Sequence, residues 1–275
     1  MRPASAVLIA FSCALFCQAQ PANQSGIAHV AFRVADLDAA RAFYYRLGFE
    51  QFFEMKQSDK TTEAFLKVND RQFIELYPQT DPSQPIGLMH VCYEFIDLDA
   101  LHAEYVKRGL TVSDVRKAGA GNMLMTMKDP EGQTIEYTQY MPGSRHFEDR
   151  GKHLGVHRVS QIMLGATSLA KDPAAIRTFY VEKLGFTEIN RGFAARLRMP
   201  GDSGQELDIV AAGPQTKSGV QFGVSNIENT VRMLLGVGLR AQPTTGRKPS
   251  GLTVTDPDGA EISFFKPAPP PAAAR

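Results

Sequence analysis

The chain has 275 residues, enough for roughly two domains of about 150 residues each. Its 43% hydrophobic and 21% charged residues are the mix of an ordinary folded protein, which excludes a disordered chain, a collagen, a coiled coil and a small disulfide scaffold. With 30 Lys and Arg against 29 Asp and Glu the net charge is +1, so the basic excess that marks a nucleic-acid partner is missing.

Residues 1–19 read as a secretory leader. Arg2 precedes an apolar run from Ala6 to Cys17 that only Ser12 interrupts, and Cys17-Gln18-Ala19 is a small-x-small approach to a cleavage site. The run is shorter than the about 20 residues a membrane span needs. The expected location is therefore periplasmic or extracellular, with no membrane attachment after cleavage. The mature chain would carry 29 basic and 29 acidic residues, and Cys92 as its only cysteine.

Ile27–Val34 alternates as a strand does. Asp36 can cap the helix that carries Leu37, Ala40, Phe43 and Tyr44, and Gly48 ends it. Strands are expected at Glu50–Lys56, Thr62–Val68 and Gln72–Tyr77. A second unit opens at Met89–Ile96, continues through a helix from Asp97 to Gly109, and closes with strands near Val112–Arg116, Asn122–Met127 and Thr134–Gln139. The turn Asp129-Pro130-Glu131-Gly132 joins the last two. Residues 142–155 form a polar link, and His146, His153 and His157, clustered near this boundary, read as solvated. Two further units span about Val156–Ala211 and Gly219–Lys266, and the Pro- and Ala-rich residues 267–275 read as a loose tail.

The halves are duplicates. Phe43-Tyr44-Tyr45 to Phe49 returns as Phe179-Tyr180 to Phe186, and Asp129-Pro130-Glu131-Gly132 returns as Asp256-Pro257-Asp258-Gly259. The first half is itself paired: His29 and His90 are 61 residues apart, and so are Glu75 and Glu136. Strand side chains alternate between faces. Val30, Phe32, Val91, Tyr93, Ile74, Leu76, Ile135 and Tyr137 then face the helices. His29, His90, Glu75 and Glu136 face the other way, into one cleft if the first two units pair face to face. Two imidazoles and two carboxylates without a thiolate suit one divalent ion, Zn, Ni, Fe, Co or Mn, with room for a substrate. Arg33 and Glu94 share that face as candidate substrate-binding residues or as a pair. Tyr77 and Tyr137 are candidates for its wall. Cys92 reads as a small buried residue and His102 as a surface one.

These motifs, from Ile27-Ala28-His29-Val30-Ala31-Phe32-Arg33-Val34 through Ile74-Glu75-Leu76 and Met89-His90-Val91 to Ile135-Glu136-Tyr137, resemble the vicinal oxygen chelate superfamily over nearly all of residues 26–266. That superfamily includes glyoxalase I, bleomycin-resistance and fosfomycin-resistance proteins and extradiol dioxygenases. The resemblance implies an α+β chain: four βαβββ modules making two domains, 26–141 and 156–266, with curved mixed β-sheets around a cleft. It implies metal ligands at His29, Glu75, His90 and Glu136, as in bacterial glyoxalase I. Arg33 falls where that enzyme has an arginine for the glutathione end of its substrate, and Gln79 near its glutathione-binding asparagine. The implied activity is that of a lyase or isomerase, in which Glu136 or Glu75 moves a proton next to an enediolate on a small metal-chelating oxygenated substrate. The alternatives are an Fe(II) extradiol-type ring-cleaving dioxygenase and a ligand-sequestering protein of the bleomycin-resistance type. In the second half the same register puts Gln161, Asp208, Gly219 and Ser263 at the ligand positions, which implies a metal-free partner domain. A monomer or homodimer is expected.

Overall fold

A computed structural model describes residues 24–191, 194–201, 203–244 and 251–267; the leader and all but Pro267 of the tail lie outside these residues. In chain order the first half contains β1 (Gln24–Val34), α1 (Leu37–Arg46), β2 (Glu50–Gln57), β3 (Lys60–Lys67), β4 (Phe73–Pro78), β5 (Gly87–Phe95), α2 (Leu98–Lys107), β6 (Arg116–Lys117), β7 (Met123–Lys128) and β8 (Thr134–Gln139). A short helix, α3 (Arg145–Glu148), precedes the second half. That half repeats the order with β9 (Ile162–Ala170), α4 (Pro173–Glu182), β10 (Thr187–Arg191), β11 (Ala194–Arg198), β12 (Glu206–Ala211), β13 (Gly219–Gly223), α5 (Ile227–Gly236), β14 (Gln242–Pro243), β15 (Leu252–Thr255) and β16 (Glu261–Phe265).

Each half is one curled eight-stranded mixed sheet, ordered β2-β3-β4-β1-β5-β8-β7-β6 in the first and β10-β11-β12-β9-β13-β16-β15-β14 in the second. The first two units therefore join edge to edge, through antiparallel β1 and β5, rather than face to face. Register shifts interrupt that seam between Ile27 and His29 and between Ala31 and Phe32. Such bulges raise local twist and re-aim side chains. The four central strands, β4-β1-β5-β8, carry Glu75, His29, His90 and Glu136.

The helices form where the caps and apolar spacing place them. The Asp36 carboxylate accepts from the Asp38 and Ala39 N–H groups, and Asp97 accepts from that of Ala100. Caps of this kind stabilise by about 1 kcal/mol each. Gly48, at φ +81°, closes α1 and lies so near Arg158 that a Cβ there would meet its backbone at 2.7 Å. The core is continuous between halves, with Phe49 5.0 Å from Phe222 and Tyr93 5.7 Å from Phe186.

The two Asp-Pro-x-Gly turns tie the halves together reciprocally. Glu131 accepts from the Lys171 and Asp172 N–H groups at the start of α4, and Asp258 accepts from the Ala35 N–H just before α1. Among the described residues, no helix is long and apolar enough to cross a membrane.

Candidate metal centre

The expected alternation places the site. Val30, Ile74, Tyr93 and Ile135 are buried against the helices, while His29, Glu75, His90 and Glu136 turn to the concave face. There the four side chains converge. His29 Nδ1 lies 3.1 Å from Glu75 Oε1. His29 Nε2 lies 3.1 Å from His90 Nε2 and 3.3 Å from Glu136 Oε1. His90 Nε2 is 3.8 Å from Glu136 Oε2. The parallel pairing of β1 with β4 and of β5 with β8 produces this symmetry, because each module contributes one histidine and one glutamate from adjacent strands.

The electrostatics are those of a cluster that gains from a cation. Burial, then the charges of Glu63 and Glu136, pushes the Glu75 carboxyl well above the usual range. Burial works in the same direction on Glu136, but its bond to His29 and the neighbouring imidazoles outweigh it and bring that carboxyl down to about 2. Burial lowers His90 to about 4. Buried carboxyl groups packed against imidazoles are costly to ionise unless something positive lies among them. Nitrogen and oxygen donors in this number suit one divalent ion, so the residues present fit such a group. Ligand atoms of His29, Glu75 and His90 lie within 4.8 Å of one another, as do those of His29, Cys92 and Glu136. A sulfur is thus within reach of the set, although burial pushes the Cys92 thiol up and keeps it protonated.

His29, Glu75 and Glu136 open onto a cavity of about 240 Å³ whose wall includes Glu63, Phe65, Tyr77, Asn122, Tyr140 and His146. Tyr77 donates to Glu75 Oε2 at 3.2 Å and also bonds Glu63. Exposed Arg116 and half-buried Met55 stand among the lining residues. Tyr77 is on the wall as expected, whereas Tyr137 is buried in the core against Tyr105, their hydroxyls 3.0 Å apart, because its parity is that of the helix-facing set. Arg33 and Glu94 neither line this cavity nor meet each other. Arg33 Nη1 donates to the Pro85 carbonyl at 3.0 Å, and Glu94 takes a bidentate pair from Arg71 at 2.9 and 2.7 Å. Each was satisfied by a partner on a loop, which strand parity does not see. Gln79 likewise donates to the Gln84 carbonyl and is not among the lining residues.

Glu63, Asn122 and His146 are among the wall residues the sequence reading missed. Glu63 was legible, since β3 pairs with β4 in a register that sets Phe65 opposite Glu75. Asn122 and His146 were not. The segment read as a solvated link holds α3, capped by Ser144, and buries His146 to 5% exposure; His153 and His157 are exposed. Lys67, fully buried, holds this segment down through the Asp149 and Lys152 carbonyls and Asp70.

In the second half Asp208, Gly219 and Ser263 stand at the register positions of Glu75, His90 and Glu136. The position of His29, however, is held by Gly165 and not by Gln161, because Thr167 pairs with Asp208 as Ala31 pairs with Glu75. Gln221 and Arg196 occupy this face, donating to Asp208 at 2.9 and 3.0 Å. A guanidinium thus supplies the positive charge beside that carboxylate.

The family described as the Glyoxalase/Bleomycin resistance protein/Dioxygenase superfamily matches residues 26–137. Residues 26–137 belong to that superfamily. Members of the superfamily are typically metal-dependent enzymes, and the two curled sheets are its two-domain fold. Among solved structures the chain is similar to the 2,3-dioxygenase LapB from Pseudomonas sp. KL28, at 15% identity and TM-score 0.71, over 91% of this chain and 95% of that one. It is also similar to the Mn(II)-bound glyoxalase from Novosphingobium aromaticivorans, at 17% identity and TM-score 0.66, over 88% and 82%. A third is an extradiol ring-cleaving dioxygenase from B. fuscum, at 18% identity and TM-score 0.66, over 90% and 73%. These likenesses concern the fold. No curated protein sequence matches.

Proposed function

We propose that the chain is a metal-dependent, glyoxalase-type lyase or isomerase acting on a small substrate with two neighbouring oxygens. The observation that carries this reading is the buried cluster of Glu75, His90 and Glu136 around His29, whose two overlapping ligand groups share His29 beside a cavity. These four residues would hold one divalent ion, which when bound supplies Lewis-acid polarisation of a substrate oxygen. Glu136 is the base: its carboxylate is ionised at neutral pH and lies on the cavity wall, where it removes a proton from substrate carbon and returns it. Tyr77 stays protonated through burial and the charges of Glu75 and Glu63, and so remains a hydrogen-bond donor to the carboxylates. The aromatic wall of Phe65, Tyr77 and Tyr140 limits water around the transfer. The leader-like residues 1–19 support a periplasmic or extracellular location for the enzyme.

The cavity is smaller than the about 300–1,000 Å³ typical of sites for drug-sized ligands. A metabolite-sized substrate fits it. The test is exchange of the transferred hydrogen: protein loaded with Mn or Ni, incubated in D₂O with a dicarbonyl-derived substrate, incorporates deuterium, and E136Q does not. A second reading, a ring-cleaving dioxygenase, is favoured by the two-histidine, one-carboxylate group His29, Glu75 and His90. Oxygen uptake with a catechol by the Fe(II)-loaded protein, without deuterium incorporation, would select it.

A further inference from the structure

His146 is a buried side chain that the chemistry above does not use. Its ring is fixed on several sides. It meets Phe52, Phe53, Phe65 and Phe73 edge-on, at centroid distances of 5.4, 5.4, 5.9 and 4.5 Å, and tilts against Tyr140 at 5.3 Å. A bulge in β2 between Gln51 and Phe53 lets the consecutive Phe52 and Phe53 both join this cluster. Its protonation is fixed as well. The Asn122 side-chain oxygen accepts from the Met141 N–H at 3.2 Å, which orients the amide so that its nitrogen donates to His146 Nδ1 at 2.8 Å. Nδ1 therefore carries a lone pair, and the single proton of the neutral ring sits on Nε2. Burial favours that neutral form, holding the imidazole down to about 3. Nε2 has no hydrogen-bond partner among the described residues, and His146 lines the same cavity as His29, Glu75 and Glu136. That N–H is not sealed from solvent, so an acceptor oxygen entering the cavity can reach it.

We infer that His146 Nε2–H donates a hydrogen bond to an acceptor oxygen of the bound substrate, with Asn122 as the positioning residue that fixes the donor. The assignment rests on the reading of the cavity as a metal-dependent active site. It adds a specificity element: the substrate carries an acceptor oxygen beyond those near the His29 cluster. The donor comes from outside the four-strand pattern, on a short helix that Lys67 straps to the sheet. A rigid, pre-oriented donor of this kind costs little to engage.

The test uses the zinc-loaded protein, labelled with ¹⁵N-histidine, and 4-nitrocatechol as probe. In the free protein the His146 proton is expected on Nε2, and at saturating probe the Nε2 resonance shifts while Nδ1 holds. H146F weakens probe binding, read by visible absorption, about three- to tenfold, whereas H146Q, which keeps an N–H donor, stays within about twofold. A proton on Nδ1, an Nε2 resonance unmoved at saturation, or unchanged binding by zinc-loaded H146F overturns the assignment. If H146F does not fold, the spectra of the unsubstituted protein decide. Zinc content separates the two failures: a protein that binds no zinc overturns the enzyme reading and the assignment with it, while a zinc-loaded protein with a silent Nε2 overturns the assignment alone.

Discussion

Glutamates 75 and 136 show what one side chain's surroundings decide. They are register equivalents in the two modules, yet burial and Glu63 raise the first while the imidazoles lower the second. Both are placed to hold an ion, and E75Q and E136Q are each expected to lower metal affinity by more than about 10-fold, the lower end of what even supporting residues contribute. Isothermal titration with Mn²⁺ measures this; native affinity in E136Q would contradict it. His146 yields a pH prediction for the metal-free protein. Its pKa is about 3 when folded and 6.5 when unfolded, so the unfolded chain binds more protons between those values. Its contribution is full above about pH 6.5 and is lost as pH falls toward 3, at no more than about 1.4 kcal/mol per pH unit. Urea unfolding at pH 7 and pH 4.5 should show a smaller acid loss for H146F than for the unsubstituted protein. Equal losses would mean that the ring is not held neutral.

Strands and helices were the most legible elements. The alternation of Ile27–Val34 and of Gln72–Tyr77 predicted β1 and β4 to within a few residues, and Asp36 and Asp97 cap the helices where their spacing put them. Period and capping are local, so one sequence suffices to read them. The face-to-face pairing failed because alternation says which way a side chain points, not which edge meets which. The reading of His146 as solvated failed for a related reason. The ring's burial depends on Lys67, Asp70 and an aromatic cluster distant in sequence. The strap should therefore be sensitive: K67M leaves the Lys152 carbonyl without its donor and the Asp149 carbonyl with only the Lys152 N–H, and is expected to cost about 1–3 kcal/mol by urea unfolding. At the reciprocal turns, E131A removes the acceptor at the start of α4 and is expected to cost about 1 kcal/mol. No change in either variant would show that these contacts do not hold the elements.

The whole molecule is a duplication in which one copy kept its donors. Both halves have the same strand order, and their helix-facing residues form a continuous core. The concave faces diverged: His29, Glu75, His90 and Glu136 in the first, Gly165, Asp208, Gly219 and Ser263 in the second, with Arg196 and Gln221 against Asp208. Three of those second-half positions were legible from the repeat. Gly165 was not, since a glycine offers no side chain to anchor a register, and a Cβ there would meet the Glu206 carbonyl at 2.4 Å. Such asymmetry confines the proposed chemistry to the first sheet, and it makes the ion count the sharpest test. The deciding measurement is elemental analysis of the purified protein after reconstitution and gel filtration, beside H90A shown to be folded by circular dichroism. Roughly one equivalent of divalent metal in the protein, lost in H90A, is the predicted result. The same metal content in both, or none in either, would contradict it.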